Sequence, residues 1–211
     1  MSNASYGRLI AALITAWFAF ALLASNLHLF KAAPNLPPLA LGIAALTPIA
    51  VFLSWFAAST GFRRFVLSLN PRTLTFVQSW RIAGFTFLAL YAVGLLPGIF
   101  AFSAGWGDIF IGATAPLAAL KLVNLRRRRG LIFWQLLGIL DLVLAVTLGA
   151  TAQLIDPRGL STGWMTVLPL SLIPTFAVPL FLVLHIICIA QAMGSRESWR
   201  SQVGEPLPST A

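Results

Sequence analysis

Residues 131–153 read LIFWQLLGILDLVLAVTLGATAQ, an apolar run in which Asp141 is the only charged residue. Such a run supplies roughly the twenty apolar residues that a helix needs to cross about 30 Å of hydrocarbon. A helix is the default in lipid because it satisfies its own backbone hydrogen bonds. Five other stretches of the chain have a similar character. The six predicted spans are therefore 9–30, 38–60, 80–96, 108–124, 131–153 and 164–192.

The composition places the chain among membrane proteins. Hydrophobic residues make up 59% of its 211 residues and charged residues only 9%, whereas a globular domain is about a quarter charged. We predict one all-α domain, a bundle of six transmembrane helices over residues 1–195, and a disordered cytoplasmic tail over residues 196–211. The lone thiol, Cys188, excludes an internal disulfide and a cysteine-rich metal site.

The basic residues lie almost entirely on one side of the predicted spans, and only Lys31 and Arg158 lie on the other. The positive-inside rule therefore predicts that both termini are cytoplasmic. The excess of arginine over lysine favours a bacterial source, and hence the bacterial inner membrane. Arginines in short loops between spans set topology, so the net charge of +9 does not indicate nucleic-acid binding. Four consecutive arginines are also candidates for binding anionic lipid: Arg126, Arg127, Arg128 and Arg129.

Residues 95–108, which connect the third and fourth predicted spans, are the most unusual part of the chain. Pro97 would break a helix, and Gly105 and Gly107 would allow a tight turn. We therefore predict a short interfacial or re-entrant segment here. Asp108 would then cap the next helix, or would stand as a carboxylate at the mouth of an outward-facing pocket. After it, the small residues Gly112, Ala115 and Ala119 share one helical face and favour close packing.

Asp141 lies near the middle of its span, where an acid costs roughly 2.5–3.5 kcal/mol on insertion scales. Its face of the helix carries Gly138 and Ala145, so it should face protein rather than lipid. Three interpretations are open: a hydrogen bond that fixes helix packing, a carboxylate that handles protons or a ligand, and a buried pair with a cation.

Depth suggests partners for Asp141. Counted from the cytoplasmic ends of their spans, His185 and Asp141 differ in height by only about 6 Å. Tyr91 lies near the middle of the third span. A cluster of Asp141, His185 and Tyr91 is a hypothesis on these grounds.

The last span carries Pro169, Pro174 and Pro179, and each proline frees the carbonyl four residues before it. The last of these carbonyls belongs to Thr175. A helix broken in this way is tolerated where a neighbour or a cavity satisfies the backbone. Simple packing kinks and a cavity lined by His185 are both compatible with the pattern.

Three classes of function remain open. The leading hypothesis is a protein that handles a small solute or protons at a site built on Asp141, His185, Tyr91 and Asp108. The second is a non-catalytic subunit or assembly factor, as a homo- or hetero-oligomer. The third is an intramembrane enzyme, which we do not favour because Asp108 and His185 should lie on opposite sides. No motif predicts a metal or another cofactor.

One set of residues recurs through the later spans: Arg81, Gly84, Leu96-Pro97, Phe100-Ala101, Gly105-Trp106-Gly107-Asp108, Gly112, Ala115-Pro116, Asp141, Pro179 and His185. This pattern resembles a group of small multi-pass bacterial membrane proteins that are mostly uncharacterised. The resemblance would cover spans three to six and implies no activity.

Overall fold

The computed structural model describes residues 2–31, 38–157 and 159–203, and this part of the chain is helical and contains no strand. In chain order its elements are α1 (Asn3–Asn26), α2 (Leu39–Ala58), α3 (Thr60–Leu67), α4 (Pro71–Val77), a 3₁₀ segment (Gln78–Gly84), α5 (Phe85–Ala92), α6 (Gly98–Lys121), α7 (Arg128–Ile155), a 3₁₀ turn (Thr162–Thr166), a π-helical turn (Ile173–Ala177), α8 (Val178–Met193) and α9 (Arg196–Val203).

Five helical segments among the described residues are long and apolar enough to cross a membrane, not the six that we predicted. They support a multi-pass membrane protein. They correspond to the first, second, fourth, fifth and sixth predicted spans. These segments are α1, α2, α6, α7 and the continuous run Ile173–Met193, which joins the π-helical turn to α8.

The third predicted span is not one regular helix. Residues 80–92 belong to the 3₁₀ segment and α5, which continue from α4, and residues 93–96 lie in the turn after α5. A 3₁₀ helix has three residues per turn, so side chains three apart lie directly above one another. The buried residues of this run follow that period over five positions. This buried stripe consists of Thr75, Gln78, Arg81, Gly84 and Phe87.

The predicted interfacial segment is wrong, because residues 98–107 form the first turns of α6. Pro97 stands at the N-cap, where its missing N–H costs nothing. The two glycines serve close packing instead of a turn: a Cβ added at Gly105 would lie 2.8 Å from the Leu88 side chain. The predicted small stripe Gly112, Ala115 and Ala119 is buried, as expected.

The prolines of the last span interrupt its helix as predicted, since regular α-helix resumes only at Val178, one residue before Pro179. The carbonyl of Thr175, which Pro179 deprives of its usual partner, accepts a hydrogen bond from the indole Nε1 of Trp17 at 3.0 Å. A neighbouring helix therefore satisfies the backbone that the proline leaves open.

The predicted disorder of the tail is wrong for residues 196–203, which form α9. Trp199 is fully buried and Val203 nearly so, and both belong to one apolar cluster with Val123 and Leu131. A spacing of four places Trp199 and Val203 on one helical face, which explains why the segment folds onto the bundle. Residues 204–211 of the predicted tail lie outside the described residues.

Candidate functional site

Arg81 is the centre of a buried polar cluster and is only 2% exposed. Its Nε donates to Oδ1 of Asp108 at 2.7 Å, and its Nη2 donates to Asp141. Its Nη1 lies 3.3 Å from the carbonyl oxygen of Gly138 and 3.0 Å from Nε2 of His185. Every nitrogen of the guanidinium group is therefore hydrogen-bonded.

The two acids reach Arg81 from adjacent helices, Asp108 from α6 and Asp141 from α7. Glycines allow this approach. A Cβ added at Gly84 would overlap Asp108, and a Cβ added at Gly107 would overlap the carboxylate of Asp141. The 3₁₀ segment, α6 and α7 are therefore in close contact around the three charges. The acid side chains keep 16% and 13% of their surface exposed.

We refer to Arg81, Asp108 and Asp141 as the triad. It contains one more acid than base, so it is negative when both carboxylates are ionised and neutral when one holds a proton. A buried Arg paired with carboxylates is far less costly than either charge alone. Among the described residues, the ion pairs are those that Arg81 makes within the triad.

A chain of polar side chains leads from Arg81 into α8. Because a guanidinium can only donate, Nε2 of His185 accepts, and its proton is then on Nδ1. Nδ1 donates to the side-chain oxygen of Gln135, and Nε2 of Gln135 donates to the Thr75 hydroxyl at 3.1 Å. That hydroxyl lies 3.8 Å from Sγ of Cys188. His185 is thus held as a neutral ring with both nitrogens occupied.

The structure brings three of the four predicted site residues together. Asp108, Asp141 and His185 all bond to Arg81, so the expectation that Asp108 and His185 lie on opposite sides is wrong. Asp108 does not cap a helix, since it lies in the interior of α6. Tyr91 lies outside the cluster: it is 40% exposed, and its ring packs 4.6 Å from that of Phe102.

Sequence reasoning missed Arg81 because this residue, at the start of the third predicted span, was counted among the basic residues whose distribution sets topology. It also missed Gln135 and Thr75. One signal was available, namely polar or small residues at a strict spacing of three in an apolar region, which indicates a buried 3₁₀ face. Asp141 pairs with a cation, which was one of its three predicted interpretations.

Two cavities lie elsewhere in the described structure, and no residue of the polar cluster lines either of them. An apolar cavity of about 430 Å³ lies between α1, α2 and the π-helical turn, where Thr175 contributes to its wall. One of the two interpretations of the broken last span was a cavity lined by His185; this cavity borders that span, but His185 does not line it. A basic pocket of about 600 Å³ lies between the start of α7 and α9. The described residues include no group of three or more side chains suited to a metal ion.

Residues 36–193 match a family described as a domain of unknown function, DUF8737. The chain belongs to this family. The DUF8737 region runs from α2 to α8 and so contains the triad, His185 and Gln135. This agrees with the predicted membership of an uncharacterised family. No curated protein and no solved structure matches the chain.

Proposed function

We propose that this chain is a bacterial inner-membrane protein with six crossings and both termini in the cytoplasm. The run from Pro71 to Ala92 has helical turns throughout and is about 36 Å long, enough for the third crossing. Arg81 lies inside the third crossing and no longer contributes to the positive-inside rule, but the other basic residues still lie mostly on the predicted cytoplasmic side. This arrangement is consistent with the triad, since Asp108 and Asp141 are each about 20 Å along their helices from the cytoplasmic ends.

The proposed activity is passage of protons across the membrane, by uptake and release at the triad. The observation that supports it is the pairing of two acids with one buried arginine. Arg81 keeps its charge at all physiological pH values, so the surplus acid is the group that can gain or lose a proton. Intramembrane acids of this kind commonly belong to proton pathways.

Close packing favours protons over a larger solute. Gly84 and Gly107 bring backbone against both acids, and a single methyl group at either position would overlap a carboxyl side chain. A site so tightly enclosed suits the smallest ligand. His185 would act as a positioning residue, because its neutral ring accepts from Arg81 and fixes the guanidinium between the acids.

Proton flux into liposomes containing the purified protein tests the proposal. An imposed membrane potential should drive faster acidification than in protein-free liposomes, measured with an internal pH dye. Asp141→Asn should reduce this flux by at least about tenfold, because the amide cannot exchange a proton in the same way. Asp156→Asn is the matched control, since Asp156 is an exposed acid after the end of α7.

Two outcomes would contradict proton handling. One is wild-type flux no faster than that of protein-free liposomes. The other is full flux in Asp141→Asn and Asp108→Asn, each checked to be folded by its thermal melting profile.

A second candidate function is that of a non-catalytic subunit, and the apolar cavity favours it. The cavity is bordered by Ala21 and Ala24 of α1 and Ala40 and Ala44 of α2. Small residues on facing helices are typical of sites where another helix approaches. A stable complex of defined stoichiometry in mild detergent would support this role, and an isolated monomer under the same conditions would argue against it. An intramembrane enzyme gains no support, because both nitrogens of His185 are already hydrogen-bonded.

A further inference from the structure

The basic pocket is formed by two regions distant in sequence, the start of α7 and α9. Arg126, Arg128 and Arg129 line one side, and Arg196 lines the other. Trp199 also lines the pocket and is itself fully buried. The pocket therefore exists only because α9 folds onto the bundle.

Hydrogen bonds fix the walls of this pocket before any ligand arrives. Asn124 accepts at Oδ1 from the backbone N–H groups of Arg126 (3.0 Å) and Arg127 (2.8 Å). The carbonyl of Asn124 accepts from Nε1 of Trp199 at 3.2 Å, which ties α9 to this loop. Nη2 of Arg128 donates to the carbonyl of Gly194 at 2.8 Å.

The charges of the pocket have no counter-ion among the residues that the structure describes, where both ion pairs belong to Arg81. Arg126, Arg129 and Arg196 are exposed. One turn beyond Arg196, Nε of Arg200 is buried without a hydrogen-bond partner in the described part of the chain. Several guanidinium groups around one recess provide the planar donors that suit a phosphate group.

Position favours a phosphate that is part of a lipid. Arg128 and Arg129 stand at the first turn of α7, and an apolar run whose only charged residue is Asp141 begins at Gly130, with Ile132 among the lining residues of the pocket. A basic recess immediately next to a membrane-spanning run lies at headgroup depth, where it can bind an anionic lipid. We propose that this pocket binds the phosphate of an anionic phospholipid headgroup from the cytoplasmic leaflet.

The test compares two pairs of substitutions that remove the same charge. The pocket pair is Arg129→Gln with Arg196→Gln, and the control pair is Arg64→Gln with Arg72→Gln. All four arginines are exposed, and all four lie on the predicted cytoplasmic side of the membrane. Binding of phosphatidylglycerol is measured by native mass spectrometry and by thermal stabilisation, in detergent and in nanodiscs that are otherwise phosphatidylcholine. Melting temperatures in pure phosphatidylcholine confirm that each variant is folded.

We expect the pocket pair to bind phosphatidylglycerol at least about tenfold more weakly than the wild type, and the control pair to change by less than about twofold. Equal weakening by both pairs would overturn the proposal, since it would reflect the general surface charge. Saturable binding of inorganic phosphate in detergent that displaces phosphatidylglycerol and is lost in the pocket pair would overturn the assignment to lipid. These outcomes do not depend on proton flux, so the two proposals can fail separately.

Discussion

The centre of the bundle and its α1–α2 side are held together by different means. In an apolar 18-residue stretch of α6, 39% of the residues are buried within the protein, whereas the corresponding share is 17% in α1 and in α2. The centre combines charges, glycines and hydrogen bonds in a close fit, whereas α1 and α2 border an apolar cavity. A defect at the centre therefore leaves charges unpaired, and a defect at the α1–α2 side mainly exchanges one apolar contact for another.

The largest effect should follow from removing the central cation. Arg81→Met keeps the length of the side chain but leaves Asp108 and Asp141 next to each other without a counter-charge. We expect a loss of about 3–5 kcal/mol in the free energy of unfolding, measured by thermal or denaturant unfolding in detergent. Arg72→Met, at an exposed position, is the control.

A charge-balanced variant sharpens this result. Adding Asp108→Asn and Asp141→Asn to Arg81→Met removes all three charges and should recover much of the lost stability, because no ion is then left unpaired. An Arg81→Met protein as stable as the wild type would show that the centre does not depend on its ion pairs.

A smaller effect should follow from adding one methyl group at the centre. A Cβ added at Gly112 would lie 2.8 Å from the carbonyl carbon of Arg81 and would overlap the backbone of Ile82, so the helices must move apart. We expect Gly112→Ala to destabilise by about 1–3 kcal/mol in the same unfolding assay.

Gly42→Ala in α2 is the matched control for that substitution, because nothing lies within 4 Å of its added Cβ. Alanine is the better helix former, so this variant should be neutral or more stable by up to about 1 kcal/mol. If both alanine variants behaved alike, the contrast in packing between the two regions would be wrong.

The smallest effect should come from the α1 side. Trp17→Phe removes the indole N–H that donates to the carbonyl of Thr175 and keeps an aromatic ring beside Phe176. We expect a loss of about 1 kcal/mol, the usual net value of one hydrogen bond. A loss in the free energy of unfolding as large as that of Arg81→Met would show that the α1 side and the centre contribute equally to stability.

Hydropathy predicted the five segments that are long and apolar enough to cross a membrane, because that signal is a local property of the chain. The site was only partly predictable. Estimates of depth placed Asp141 and His185 at similar heights in the membrane. Depth does not specify how a helix is rotated about its axis or which helices are adjacent. Tyr91 was therefore included in the cluster, although it lies outside it. Arg81 was missed because its position at the start of the third predicted span made it count as a topology-setting charge. Gly105 and Gly107 were mistaken for a turn, since a glycine that permits close approach looks the same in sequence as one that permits a bend.

The triad also has a consequence for the order in which the chain is made. Arg81 leaves the ribosome before its two partners, which follow 27 and 60 residues later. Until they arrive, its segment carries an uncompensated charge that costs roughly 2.5–3.5 kcal/mol at the centre of a membrane. In the six-crossing arrangement proposed above, the segment from Pro71 to Ala92 should therefore enter the membrane only after α6 and α7 have emerged from the ribosome. Biogenesis of this protein would then proceed by joint entry of three segments, not by one segment at a time.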